Sequence, residues 1–233
     1  MATFGSNSWA VGLLKTIDDS KNHIISSNIG VVINDKYPKA KHHFLVLSRE
    51  DIPSIFHLSQ KHLAVLDELH LLGLNIIEVK GHNVEDFKMG FHAQPSMQRL
   101  HLHVISKDFV SDCLKTKKHW NSFNTKLFVP YEGKLILSTQ GSIKRLEKTE
   151  IDKLLAMELR CNQCNYTAKN MPDLKEHLLK HLGRKTFNKY QLLFFTFLTS
   201  NMLQFIVFFS LNSCIQYTFN TLFYNWLKLF ILS

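Results

Sequence analysis

Two short apolar runs open the pattern, residues 29–33 (IGVVI) and 44–47 (FLVL), each flanked by turn-forming or polar residues, and they predict a pair of strands. The segment between them, DKYPKAKH, contains Pro38, which ends the first strand. From Asp51 to about Leu72 the period changes. Ile55, Leu58, Leu63, Leu66 and Leu69 recur at helical spacing, with Asp51 as a cap and Gly73 as a stop, which predicts one long crossover helix. Alternation returns at 74–79, at 88–93 and in RLHLHVI (99–105), and a second helix is predicted from Ile143 to Met157. Strands on both sides of one long helix predict an α+β sheet domain.

From about residue 186 the pattern changes in kind. Residues 186–233 contain no Ala, Gly, Pro, Arg, Asp, Glu or His, and hold ten of the 18 phenylalanines. Residues whose codons are GC-rich are missing, as expected of translated AT-rich non-coding or splice-variant sequence. A hydrophobic anchor is a second reading, because 192–211 could span about 30 Å as a helix, although Thr196, Thr199, Ser200, Asn201 and Gln204 interrupt it. Packing against the domain is a third.

Charge sharpens the division. The 233-residue chain carries a formal +9; the tail supplies only Lys189 and Lys228, so +7 lies in residues 1–185. A basic domain favours a polyanion such as nucleic acid or an anionic membrane surface. Cys161 and Cys164 have metal-ligand spacing while Cys113 and Cys214 have no evident partner, so a reducing compartment is expected rather than a disulfide framework. The N-terminus shows no basic start followed by an apolar run, so no secretory leader is predicted.

The candidate chemistry begins in the strand RLHLHVIS. Arg99, His101 and His103 alternate with Leu100, Leu102 and Val104, so both imidazoles share one face. Such a pair could be the wet side of a half-exposed strand, a metal chelate, or a phosphate site. Upstream, GFHAQPSM places His92 and Ser96 around a proline turn, adding donors that suit phosphate chemistry, since neutral imidazole attacks phosphorus and donors stabilise the developing charge.

Cys161-x2-Cys164-x12-His177-x3-His181 supplies four ligands at zinc-finger spacing, with Tyr166, Leu174 and Leu178 available for a small core and Ala168 where an aromatic is usual. The finger could brace the domain or touch phosphates; the excess of Lys169, Lys175, Lys180, Arg184 and Lys185 over Asp173 and Glu176 favours the second. Lys115, Lys117 and Lys118 precede Trp120, a combination in which cations hold a backbone and the aromatic stacks on a base.

The run GFHAQPSMQRLHLHVISKDF with KKHWNSFNT, together with DKYPKAKHHFLVL and the finger, resembles the aprataxin branch of the histidine-triad hydrolases over roughly residues 6–182. The resemblance implies a histidine-triad catalytic domain over 6–110, with an antiparallel sheet and flanking helices. A basic and aromatic connecting segment over 111–157 and a zinc finger over 158–185 follow. It further implies removal of AMP from 5′-adenylated DNA ends, the products of abortive ligation. His101 matches the nucleophile that carries AMP, His103 a phosphate-oxygen ligand, His92 the proton donor to the leaving group and Ser96 a phosphate contact. Asp35 matches the carboxylate that holds the ribose hydroxyls, and Lys39, Lys41 and His43 the basic segment beside the nucleotide. Arg99 replaces the first triad histidine and is expected to hold a phosphate through its planar donors.

Structural zinc, no catalytic metal, a nuclear location and nicked or single-strand-break DNA as partner are implied, with RNA–DNA junctions as a further substrate class. A membrane is a partner only if the hydrophobic tail is a real anchor. No forkhead-associated module is predicted, because the strands begin too early. Two rival functions stand beside this one: a non-enzymatic zinc-finger nucleic-acid binder with a vestigial fold, and a generic nucleotide phosphoramidate hydrolase.

Overall fold

The computed structural model describes residues 12–131 and 140–183; every expectation for the 186–233 tail, and for Arg184 and Lys185, lies outside them. The two early apolar runs form β2 (Gly30–Asn34) and β3 (His43–Ser48), preceded by α1 (Gly12–Asp18) and a short β1 (Ile25–Ser26). With β4 (Phe87–His92), β5 (His101–Ser106) and β6 (Phe128–Pro130) they build one sheet of order β1-β2-β3-β5-β4-β6, antiparallel at every pairing. This is the α+β architecture that the alternation predicts.

Alternation sorts the sheet's two faces. Val32, Phe44, Val46, Leu102 and Val104 face α2 (Leu63–Val79) and pack with its Leu66, Leu69, Ile76 and Ile77. Each fully buried aliphatic side chain contributes about 1.5–3 kcal/mol, so this face supplies the larger part of the core. The opposite face carries Val31, Ile33, Leu45 and Leu47 under Leu13 and Ile17 of α1. Next to them, His101 pairs in register with Leu47 and His103 with Leu45.

The helix expected over 51–72 is displaced. Pro53 lacks an amide donor, and residues 51–62 form two single turns instead, Ile55–His57 and Gln60–His62. The helix then runs through Gly73, which is not a stop. A Cβ there would lie 2.7 Å from Met89 Sδ and 3.1 Å from Val104 Cγ2, so glycine lets the helix lie close on the sheet. The strand expected at 74–79 is therefore the last turns of α2, whose Ile76 and Ile77 continue the apolar stripe.

After the sheet come α3 (Lys117–Asn124), α4 (Lys148–Ala156, shorter than the predicted 143–157), and a hairpin of β7 (Leu159–Arg160) and β8 (Thr167–Ala168). Residues 171–183 are helical (α5). Leu174 and Leu178 of α5 and Leu159 pack with Phe109, Leu114, Trp120 and Phe123. The core of the finger is completed by α3 and by residues after β5. Among the described residues no helix is long and apolar enough to cross a membrane.

Candidate active site

Four histidines converge where β3, β4 and β5 lie side by side. His43 begins β3, His92 ends β4, and His101 and His103 lie on β5. Ring centroids are 4.9 Å apart for His101 and His103, 4.5 Å for His92 and His103, and 5.2 Å for His43 and His103. Gly90 pairs with His103 across the ladder, and a Cβ there would sit 2.5 Å from the Val129 carbonyl. Only glycine lets β6 close beside this pair.

Hydrogen bonds fix where the protons sit. His101 Nδ1 is 2.7 Å from the Arg99 carbonyl, which can only accept, so Nδ1 carries the proton and the Nε2 lone pair is free. The Lys39 amide donates to His43 Nδ1 at 3.1 Å, so His43 Nε2–H donates to His103 Nδ1 at 2.9 Å. His103 must then hold its remaining proton on Nε2, a buried atom without a hydrogen-bond partner. The chain thus presents a free lone pair on His101 and an unsatisfied donor on His103, the complement of an electrophilic phosphorus and its oxygen.

Burial keeps the cluster neutral. It lowers His101, and it holds His43 and His103 well below the ordinary imidazole range, with the neighbouring histidines and Lys39 adding like charge. His92 is pushed down to about 3, chiefly by desolvation and then by His101, Lys88 and Lys39. Lys39 itself is lowered by burial, and its Nζ donates to the Tyr37 carbonyl.

The other expected site residues are distributed unevenly. Asp35 lies at the edge of the cluster, its Oδ2 3.4 Å from His43 Nδ1 and its Oδ1 accepting the Tyr37 amide at 2.7 Å. Asp35, His43 and His103 are close enough to share a cation, but His43 and His103 already share a proton. Ser96 is exposed on the loop before β5, and Lys41 is exposed with its amide on Asp108.

Arg99 points away from the histidines. Its guanidinium donates to the Glu50 carbonyl at 2.8 Å and pairs with the Asp51 carboxylate at 3.2 Å, where it anchors the loop after β3. What Arg99 gives the site is its backbone carbonyl.

Trp120 is corrected. Its ring is 1% exposed, and Nε1–H donates to the Arg160 carbonyl at 3.1 Å, so it cannot stack on a base. The same helix exposes Lys117 and Lys118 and buries Phe123, whose place at the site no local sequence pattern signals. The Phe123 ring stands edge-on to His92 at 4.5 Å, His103 at 5.4 Å and His43 at 5.6 Å.

The finger ligands close on one another. Cys161 Sγ lies 3.5 Å from His181 Nε2, Cys164 Sγ 3.2 Å from His177 Nε2, and the two Nε2 atoms are 3.0 Å apart. A tetrahedral zinc with Zn–S of about 2.3 Å and Zn–N of about 2.0–2.1 Å brings its ligand atoms to such separations, so the four residues fit the ion. Tyr166 is outside the core expected for it: it stacks on His177 at 4.0 Å and donates to Asp173 at 2.6 Å.

Residues 8–119 match the family model described as the C-terminal binding region of the scavenger mRNA decapping enzyme, and 124–184 match a C2HE/C2H2/C2HC zinc-binding finger. An aprataxin-like protein of Drosophila melanogaster is 63% identical over 176 residues, covering 75% of this chain and 27% of its own length. An aprataxin-like protein of Saccharomyces cerevisiae is 30% identical over 200 residues, 70% of this chain and 88% of the yeast protein. The chain belongs to the aprataxin family. The crystal structure of an aprataxin ortholog, Hnt3, in complex with DNA superposes with a TM-score of 0.60 at 27% identity, covering 75% of this chain and 92% of that one. This aprataxin-family chain spans about a quarter of the length of the Drosophila relative.

Proposed function

We propose that this protein is a DNA-repair hydrolase that removes AMP from 5′-adenylated DNA ends by way of AMP carried on His101. The observation that carries the reading is the fixed proton pattern, His101 Nδ1–H on a carbonyl with Nε2 free, beside a buried His103 Nε2–H with nothing to bond. In the first step Nε2 attacks the AMP phosphorus, and the bond from that phosphorus to the DNA 5′-phosphate oxygen breaks. His103 donates to a phosphoryl oxygen as charge builds. The imidazole now bonded to phosphorus is cationic, and the Arg99 carbonyl holds its Nδ1–H.

His92 is neutral at rest, but an incoming diphosphate brings opposite charge, which raises its pKa and lets it protonate the leaving oxygen. In the second step His92 takes a proton from water, the water oxygen attacks phosphorus, and the P–N bond breaks to release AMP. In this reading Asp35 holds the ribose hydroxyls, Ser96 contacts a phosphate, and Lys39 and Lys41 form the basic segment beside the nucleotide.

No metal enters these steps, so turnover should persist in EDTA while the finger keeps its zinc. That zinc supplies a cross-link between the hairpin and α5. The exposed Lys117 and Lys118, and Lys169 on the finger, suit a DNA backbone. Support comes from the relative solved with DNA; nicked DNA, RNA–DNA junctions and a nuclear location belong to the same reading.

The test is capture of labelled adenylate on the protein after mixing with a 5′-adenylated nicked duplex and denaturing without acid. An acid-labile, base-stable label that disappears with His101→Ala, together with turnover, is the expected result. AMP release by His101→Ala at the wild-type rate would overturn the reading.

A further inference from the structure

Lys88 is a half-buried cation with no part in the proposed steps. It lies on the same face of β4 as Gly90 and His92, two and four residues before them. Its Nζ donates to the Phe123 carbonyl at 2.5 Å and to Asn124 Oδ1 at 3.2 Å, so it caps the last turn of α3. The same ammonium lies 5.0 Å from the Phe109 ring centroid and 4.9 Å from that of Phe128. A cation at a helix C-terminus and against aromatic faces is favourably placed, and three elements, β4, α3 and β6, meet around it.

What α3 carries there gives the contact its meaning. Phe123 turns its ring edge-on to His92, His103 and His43 from the end of the helix that Lys88 holds. At the other side of α3, Trp120 and Asn121 are bonded to the carbonyls of Arg160, Leu155 and Met157. Phe123 is therefore pressed onto the histidines only while both anchors hold. Resting on the hydrolase reading of the histidine cluster, we propose that Lys88 is a positioning residue that clamps α3 to the sheet, so that Phe123 seals His92 and His103 from water.

The clamp bears on His92 in two ways. Its positive charge opposes a proton on His92, and the lid it holds keeps water from the imidazole. The groups that face His92 are His101 and His103 on β5, Lys88 on its own strand, Lys39 from the loop between β2 and β3, and the uncharged rings of Phe123 and Phe128. Lys88 is lowered to about 8 by burial and by Lys107, so it is still mostly charged at pH 7.

The experiment compares wild type, Lys88→Met and Lys88→Arg in the full chain. It uses two readouts: the imidazole titration of His92 by NMR, and kcat against KM for adenosine 5′-phosphoramidate, a substrate too small to reach the finger. In Lys88→Met the His92 midpoint should rise by about one pH unit or more, and kcat should fall about ten-fold or more with KM changed by less than about three-fold. Lys88→Arg, which keeps charge and donors, should restore both to within about three-fold. If either the midpoint or kcat stays at its wild-type value in Lys88→Met, or if Lys88→Arg is as impaired as Lys88→Met, the proposal is overturned.

Should Lys88→Met fail to fold, Asn124→Ala removes one acceptor of the ammonium and must move both readouts in the same directions for the proposal to stand. If wild type releases no AMP, the hydrolase reading falls, and the His92 titration alone decides the clamp.

Discussion

Arg99 holds its backbone at φ 91°, a left-handed conformation that side chains with a Cβ resist. The twist aims its carbonyl at His101 Nδ1 while the guanidinium reaches back to residues 49–51. Removing the side chain should therefore loosen that loop but leave His101 in place for its proposed role. Arg99→Ala and Arg99→Gly should both still take up the adenylate label, and the glycine variant should be the more stable by about 1 kcal/mol in urea unfolding, since it adopts this φ without strain. Loss of labelling in Arg99→Gly would show that the guanidinium serves the chemistry. Proton linkage acts at the same scale. His43, His92 and His103 are depressed when folded, so the unfolded chain binds more protons below its ordinary imidazole pKa of about 6.5. Stability contributed by these groups is full above that value and is lost as pH falls, by up to about 1.4 kcal/mol per unit for each imidazole; for His92 the window extends from there to about 3. Urea midpoints at pH 7 and pH 5 measure it, and an unchanged midpoint would mean that the cluster is already wet.

At the scale of elements, α3 connects finger and site, and Trp120 is its central pin. Trp120→Ala should cost about 3–5 kcal/mol through the cavity and the lost bond, and should impair turnover of adenosine 5′-phosphoramidate as well as DNA binding. A stable variant that loses DNA binding alone would restore Trp120 to the nucleic-acid surface. The sequence misled there because an aromatic next to lysines has the same pattern whether it stacks on a base or fills a core. Only the finger's arrival beside α3 decides between them. The strands around His101 and His103 were legible because period two is a local property of the chain. The extent of α2 was not. Gly73 reads as a helix stop until Met89 and Val104 are seen against it, and that contact spans sequence separations no local pattern records. The convergence of Cys161, Cys164, His177 and His181 was legible from spacing, since a metal would fix its ligands in a narrow geometry. Lys88 and Phe123 escaped notice because their roles depend on which face β4 and α3 turn toward each other.

For the whole molecule, charge and packing set different expectations. Changing Lys117 and Lys118 together to Gln should reduce the salt dependence of DNA binding, each neutralised phosphate being worth about 0.9 in the log–log slope on duplex DNA; an unchanged slope would remove this turn of α3 from the interface. Zinc ligation should matter more widely than a detachable reading head would allow. Leu174 and Leu178 of the finger share one cluster with Phe109, Trp120 and Phe123, and Asn162 and Gln163 beside the cysteines donate to the Lys107 carbonyl at the end of β5. Cys161→Ser should accordingly lower the melting temperature and phosphoramidate turnover together, and a variant that keeps full turnover would show the finger to be separable. A shared core of this kind has a kinetic signature. Amides of α3, β7 and α5 should exchange with deuterium through one common opening and with one denaturant dependence, so that no populated state holds the catalytic sheet ready while the finger hangs open.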